Sequence, residues 1–139
     1  MRDLGGRIAF VTGGSRGIGL GLVKVLAAAG MKVAFTYRQE SHRDEALEHF
    51  RHHPQQQVHA IRLDVTDRAG FIIAADEAQS ILGGPVQVLI NNAGVGVHGL
   101  MEHATYADWD WVMGVNVGGV INALQTFLPR MLASGLPGH

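Results

Sequence analysis

The chain has 139 residues, 47% of them hydrophobic and 17% charged, which is the composition of one globular unit able to bury about 68% of its unfolded surface. It has no cysteine, which excludes disulfide scaffolds and zinc ribbons and suits a reducing cytoplasm. Eleven Lys and Arg against twelve Asp and Glu give a formal net charge of −1, so there is no basic excess to meet nucleic-acid phosphates.

In chain order, Met1-Arg2-Asp3-Leu4-Gly5-Gly6-Arg7 places charges where a signal peptide would be apolar, and no stretch is expected to reach the ~20 apolar residues of a membrane span. The expectation is a cytoplasmic protein with neither membrane nor nucleic acid as partner. Arg7–Thr12 reads as a strand that stops at Gly13-Gly14-Ser15-Arg16-Gly17-Ile18-Gly19. A helix follows, with Ile18, Leu22, Val25, Leu26 and Ala29 at helical spacing and Gly30 at its end. Lys32–Tyr37 is the second strand. Glu40–Phe50 is a polar helix with Ala46, Leu47 and Phe50 inward, ended near Pro54. Val58–Val65 is the third strand, and Thr66 can cap a helix over about 67–82, closed by Gly83-Gly84-Pro85. Val86–Ile90, apolar at four of its five positions, suits a parallel strand covered on both faces. Asn91-Asn92-Ala93-Gly94 is its exit turn, and Thr105–Ala133 reads as one long helix. Repeated β-α units with short connections predict an α/β fold of Rossmann type, a doubly wound parallel sheet with right-handed crossovers.

A Gly-rich turn between the first strand and the first helix aims backbone N–H groups and a helix N-terminus at one spot, which makes a phosphate site. Gly13, Gly17 and Gly19 are the positions that need no side chain, and Thr12-Gly13-x-x-x-Gly17-x-Gly19 differs from the usual G-x-G-x-x-G spacing. A tight turn with close helix packing is the alternative reading. The remaining motifs fall at strand exits, where open α/β sheets bind ligands: Asp64-Val65 after strand three, Asn91-Asn92-Ala93-Gly94 after strand four, and Asn116-Val117-Gly118-Gly119 within the long helix.

With these four ordered motifs, from about Leu4 to His139, the chain resembles the short-chain dehydrogenase/reductase family in its single-domain subgroup with the TGxxxGxG turn. The resemblance implies strand order 3-2-1-4 and an NAD(P)-dependent oxidoreductase that interconverts a small-molecule carbonyl and alcohol by hydride transfer. It implies Gly13, Ser15, Arg16, Gly17, Ile18 and Gly19 around the pyrophosphate and adenosine ribose, and Asp64 with the Val65 backbone at the adenine. Asn91, Ala93 and Gly94 would lie along the nicotinamide ribose, and Asn116 matches the family's active-site Asn, whose backbone carbonyl helps hold a water near a catalytic lysine. Blander readings stay open: Asp64 as a helix cap, the Asn pair as a turn, and Asn116 as a surface residue. NADP is expected over NAD, because strand two ends Thr36-Tyr37-Arg38 with no acid before Glu40, and Arg16 and Arg38 can converge on a 2'-phosphate. A solvated Arg38 is the alternative.

The family's catalytic Ser and Tyr-x-x-x-Lys would follow Asn116. The chain ends 23 residues beyond it, Tyr37 and Tyr106 are followed four positions later by Ser41 and Asp110, and its lysines are Lys24 and Lys32. Residues 1–139 are therefore expected to be a dinucleotide-binding domain incomplete at its C-terminal side and inactive alone, with Leu136-Pro137-Gly138-His139 approaching a fifth strand. Strand four would then expose an apolar edge, and the long helix 105–133 would carry surplus apolar surface, so a homo-oligomer through that helix is expected. A non-catalytic NADP-binding or interaction module is the rival. No metal is expected: His49 and His53 sit on a polar helix near Pro54, and roles for His98 and His103 in the loop before the long helix are weakly supported. Trp109 and Trp111, two apart, cannot share a helical face.

Overall fold

Alternate residues of a strand go to opposite faces of a sheet, and the run Ile8–Val11 is apolar at every position because both of its faces are covered. In the computed structural model, which describes residues 4–97 and 99–139, β1 (Ile8–Val11), β2 (Lys32–Tyr37), β3 (Val58–Arg62) and β4 (Val88–Ile90) form one parallel sheet in the order β3-β2-β1-β4. The helices are α1 (Gly17–Ala28), α2 (Glu40–Glu48), α3 (Arg68–Leu82), α4 (Tyr106–Met113) and α5 (Gly119–Ser134). Ala9 and Val11 face a layer made by α1 and α2 through Val23, Ala27 and Ala46. Ile8 and Phe10 face α3 and α5 through Phe71, Ala75, Ala78 and Phe127. The rings of Phe10 and Phe127 meet at 4.5 Å between centroids. This is the doubly wound parallel sheet, in the strand order, that the sequence and its resemblance imply.

Several local expectations are corrected. The apolar spacing of α1 points to Ile18 and Val25 as inner residues, yet these are 80% and 68% exposed, and Gly19, Val23 and Ala27 are buried instead. The helix turns its small-residue face inward because Gly19 lies directly on the β1 turn. Thr66 does not cap α3: Asp67 does, accepting from the Gly70 N–H at 3.0 Å, while the Thr66 hydroxyl donates to Asp64 at 2.8 Å. Leu47 and Phe50 pack partly against the core beside buried Ala46, as expected for α2.

The predicted long helix is broken into α4, a π-helical turn at Gly114–Gly118 and α5. Thr105 and Asp108 form a reciprocal capping box at its start, which the sequence reading overlooked. Together Tyr106–Ser134 makes a 29-residue helical stretch, long and apolar enough to cross a membrane by length and composition, contrary to the sequence expectation. Its Val115, Ala123 and Phe127 are buried against the sheet, while most of its apolar window is not buried. Trp109 and Trp111 are both about half exposed. The outer edge of β4 is not left bare as expected: His139 N–H donates to the Gln87 carbonyl at 2.8 Å, and Leu89 N–H donates to the His139 carbonyl at 3.0 Å. That is one step of parallel pairing, at His139, on the edge of the four-stranded sheet.

Candidate functional site

Buried polar groups at the strand ends build the site. The Thr12 hydroxyl, at the end of β1, accepts from the backbone N–H of Asn92 at 3.0 Å and of Ala93 at 3.1 Å. The Asn92 side-chain amide donates to the carbonyls of Thr12 at 3.1 Å and Gly13 at 3.0 Å. On the other flank the Thr36 hydroxyl, near the end of β2, accepts from Gly13 N–H at 2.9 Å. The Gly-rich turn is thus tied to both neighbouring strands. Gly13 adopts φ +66°, and an added Cβ would sit 2.9 Å from the Ala93 Cα. An added Cβ at Gly19 would overlap the Gly13 carbonyl oxygen and the Asn92 amide nitrogen. Only glycine lets α1 approach this closely.

The approach leaves the N-terminus of α1 open. No acidic residue lies in its first turn, and Arg16 at the N-cap position supplies no capping bond, so unpaired N–H groups and the positive end of the helix dipole face outward. They face a cleft of about 480 Å³ at the C-terminal ends of the strands. Gly13, Ser15, Arg16, Gly17, Ile18 and Gly19 line one wall. Tyr37, Arg38 and His42 line a second, Asp64 and Val65 a third, and Asn92, Ala93 and Gly94 the far end.

Eleven of the thirteen residues singled out from the sequence line this one cleft; Asn91 and Asn116 do not. Asn91 is exposed beside it. Asn116 lies in the π-turn, where its side-chain oxygen accepts from Val95 N–H at 2.8 Å and its amide donates to the Val95 carbonyl at 2.9 Å. It pins the loop leaving β4 to the helix, with its oxygen 3.4 Å from where a Gly94 Cβ would stand. Thr12, Thr36 and Asn92 are the structural members the sequence reading missed. Their signal was a polar side chain at the end of an otherwise apolar run. His98 lies outside the described residues.

Charge in and beside the cleft is arranged in two groups. The Arg38 Nε stands 3.5 Å from an Asp64 carboxylate oxygen, with both side chains largely open to solvent. The Thr66 backbone N–H, donating at 3.0 Å, holds the Asp64 carboxyl below its usual range against the opposing effect of partial burial. The Thr66 hydroxyl and Arg38 add to the lowering. Beside it, Arg43 pairs with Glu40 and with Asp44 at 2.8 Å, donates to the Tyr37 hydroxyl at 3.3 Å, and lies 5.4 Å from the Tyr37 ring centroid. These bonds, led by Asp44, raise its pKa still further above the ordinary arginine value. Among the described residues no group of three or more His, Asp or Glu could hold a metal ion.

A second groove of about 550 Å³ runs over the outer side of α3 and α5. Two of its polar side chains are already engaged: Arg130 donates to Asp76 at 2.6 Å and Gln79 at 2.8 Å, and Asn122 donates to the Val65 carbonyl at 2.9 Å. The cleft at the strand ends, with its open helix terminus, is the stronger ligand site.

Known proteins share this sequence pattern and this fold. The profile of the short chain dehydrogenase family matches residues 7–138. A C alpha-dehydrogenase of Sphingobium sp. strain SYK-6 is 42% identical over all 139 residues, which are 45% of that protein. The apo crystal structure of LigO from the same strain superposes with a TM-score of 0.94 at 50% identity, over 100% of this chain and 51% of that one. Two further neighbours carry dinucleotides. One is a short-chain dehydrogenase/reductase from Burkholderia phymatum in complex with NAD, with a TM-score of 0.92 and 33% identity over 100% of this chain and 49% of that one. The other is a blue fluorescent protein from a metagenomic library in complex with NADPH, with a TM-score of 0.82 and 37% identity over 94% and 53%. The chain spans about half the length of each of these four relatives.

Proposed function

Because the chain belongs to the short chain dehydrogenase family, we propose that it is the dinucleotide-binding domain, residues 1–139, of an NADP-dependent oxidoreductase acting on a small-molecule carbonyl or alcohol. The observation that carries this reading is the cleft itself, where an uncapped helix N-terminus and two arginines share one wall pair with no acid at the end of β2. The fit to a dinucleotide is physical. The N–H groups of Gly17–Gly19 suit a pyrophosphate, and a side chain at Gly13 or Gly19 would occupy the ground between that turn and the β4 exit.

Within this reading Gly13, Ser15, Arg16, Gly17, Ile18 and Gly19 hold the pyrophosphate and adenosine ribose. Asp64 accepts from the adenine amino group with Val65 alongside, and Asn91, Ala93 and Gly94 border the nicotinamide ribose. Arg16 and Arg38 receive the 2'-phosphate, for which Arg38 leaves Asp64. Asn116 positions the loop at the nicotinamide end through Val95. A dinucleotide held by these residues would supply or accept the hydride at its nicotinamide. No Tyr-x-x-x-Lys occurs in the 139 residues, so the proton that accompanies hydride transfer has no donor of that kind in the chain. The exposed row Ile121, Leu124, Leu128 and Leu132 on α5 supports self-association through that helix, and the absence of cysteine suits a cytoplasmic setting.

Calorimetric titration with NADP(H) and NAD(H) tests the reading. Tighter binding of NADP(H), reduced in Arg38→Ala, is expected, since a well-formed charge-assisted contact contributes about 1.5–3 kcal/mol. Equal affinities, or an Arg38→Ala variant that binds NADP(H) as before, would overturn it.

A further inference from the structure

Glu40 is the first acid after β2, and its carboxylate lies 3.5 Å from the hydroxyl of Tyr37, a cleft-lining residue. A free carboxylate at that rim would accept from ribose hydroxyls and repel a phosphate dianion. It is not free. Arg43, one helical turn on, binds Glu40 through Nη1. It also holds Asp44 through Nε and Nη2, each at 2.8 Å, and lies over the Tyr37 ring. An isolated surface pair contributes little, but a guanidinium fixed by two carboxylates, a hydroxyl and a ring has little freedom left to lose. Neither Arg43 nor Glu40 itself lines the cleft, whereas their neighbours Tyr37, Arg38, Gln39 and His42 do.

We propose that Arg43 is a positioning residue that sets cofactor choice: by clamping Glu40 beside Tyr37, it withholds negative charge from the wall where Arg38 receives a 2'-phosphate. The inference rests on the dinucleotide reading of the cleft. It assigns to the first turn of α2 a task that neither the Gly-rich turn nor Arg38 performs. With Arg43 in place, the acid that follows β2 is paired and its charge offset. Without it, Glu40 stands uncompensated beside Tyr37, and the cleft comes to resemble one selecting a ribose with free hydroxyls.

The test measures dissociation constants for NADPH and NADH, by nicotinamide fluorescence, on the full chain and on Arg43→Gln, Arg43→Lys and the double variant Glu40→Gln/Arg43→Gln. Arg43→Gln is expected to loosen NADPH about fivefold, the effect of one partly screened charge on a phosphate dianion near a protein surface, while NADH is unchanged or tighter. The double variant restores NADPH binding, and Arg43→Lys falls between. Equal loosening of both dinucleotides would reduce Arg43 to a structural role, and failure of Glu40→Gln to restore binding would overturn the clamp. A parent chain that prefers NADH would sink the NADP reading alone, because the shift in the NADPH/NADH ratio on removing Arg43 is read separately. A parent chain that binds neither would sink both.

Discussion

Replacing Gly19 with alanine tests the close approach on which the cleft depends. The added methyl would overlap the Gly13 carbonyl oxygen and the Asn92 amide nitrogen. Neither can step aside, since one is backbone and the other already donates to the Thr12 and Gly13 carbonyls. Overpacking of this kind costs about 1–3 kcal/mol, and weakening the Asn92 bonds adds about 1 kcal/mol. A destabilisation of about 2–4 kcal/mol lowers the melting temperature of a chain this size by roughly 10 °C. Displacing α1 also misdirects its N-terminal N–H groups, so NADPH binding should fall with stability. Gly21→Ala is the matched control on the same helix, where an added Cβ meets nothing within 4 Å; higher helix propensity should leave it as stable as the parent or more so, by up to about 1 kcal/mol. Thermal melts and NADPH titrations of the two variants decide the matter. A Gly19→Ala chain that melts with Gly21→Ala and binds NADPH like the parent would refute the reasoning.

Phe127→Ala, which removes a fully buried ring stacked against Phe10, should cost about 3–5 kcal/mol in urea denaturation, and a loss below about 1 kcal/mol would show that α5 does not seal that face of the sheet. The Asp64 carboxyl is held below the ordinary aspartate range chiefly by the Thr66 N–H. Its contribution is therefore present above about pH 4 and lost as pH falls through the lower folded value, and Asp64→Asn should flatten the acid limb of a stability–pH profile. Light scattering behind size exclusion at tens of micromolar should show self-association that Leu124→Lys with Leu128→Lys reduces, whereas a sharp monomer in the parent chain would remove α5 as an interface. NADPH oxidation with a panel of ketones and aldehydes should show no turnover by the 139-residue chain, and turnover would direct attention to its histidines.

The strand and helix order was legible because each element carries its own period and its own glycine punctuation, and the sheet order followed from the family resemblance. The cleft was legible for a related reason. Its residues stand at strand exits, and the exits of a parallel sheet converge wherever the strands are parallel. What periodicity hid was rotation and capping. The spacing of Ile18, Leu22 and Val25 marks an apolar stripe, but packing against the β1 turn put Gly19, Val23 and Ala27 inside. Thr66 and Asp67 are both good caps, and only the geometry at Asp64 assigns them. The roles of Thr12, Thr36 and Asn92 were hidden because they act on backbone groups up to 81 residues away in sequence. The π-turn was signalled only by glycines on either side of Asn116, and the Arg43 clamp by an i, i+3 charge pair that ordinarily means a solvated helix face.

The central claim is that the strand-end cleft receives the adenosine half of a dinucleotide with its 2'-phosphate on Arg16 and Arg38. Adenosine 2',5'-bisphosphate and 5'-AMP isolate that half, and both fit within residues this chain contains. Amide chemical shifts followed during titration with each ligand give affinity and location together. The account predicts that the 2'-phosphorylated ligand binds about tenfold more tightly, a difference of roughly 1.4 kcal/mol, with shifts concentrated at Gly13–Gly19, Arg38 and Asp64–Val65. Equal affinities, or shifts centred on the groove between α3 and α5, would contradict it.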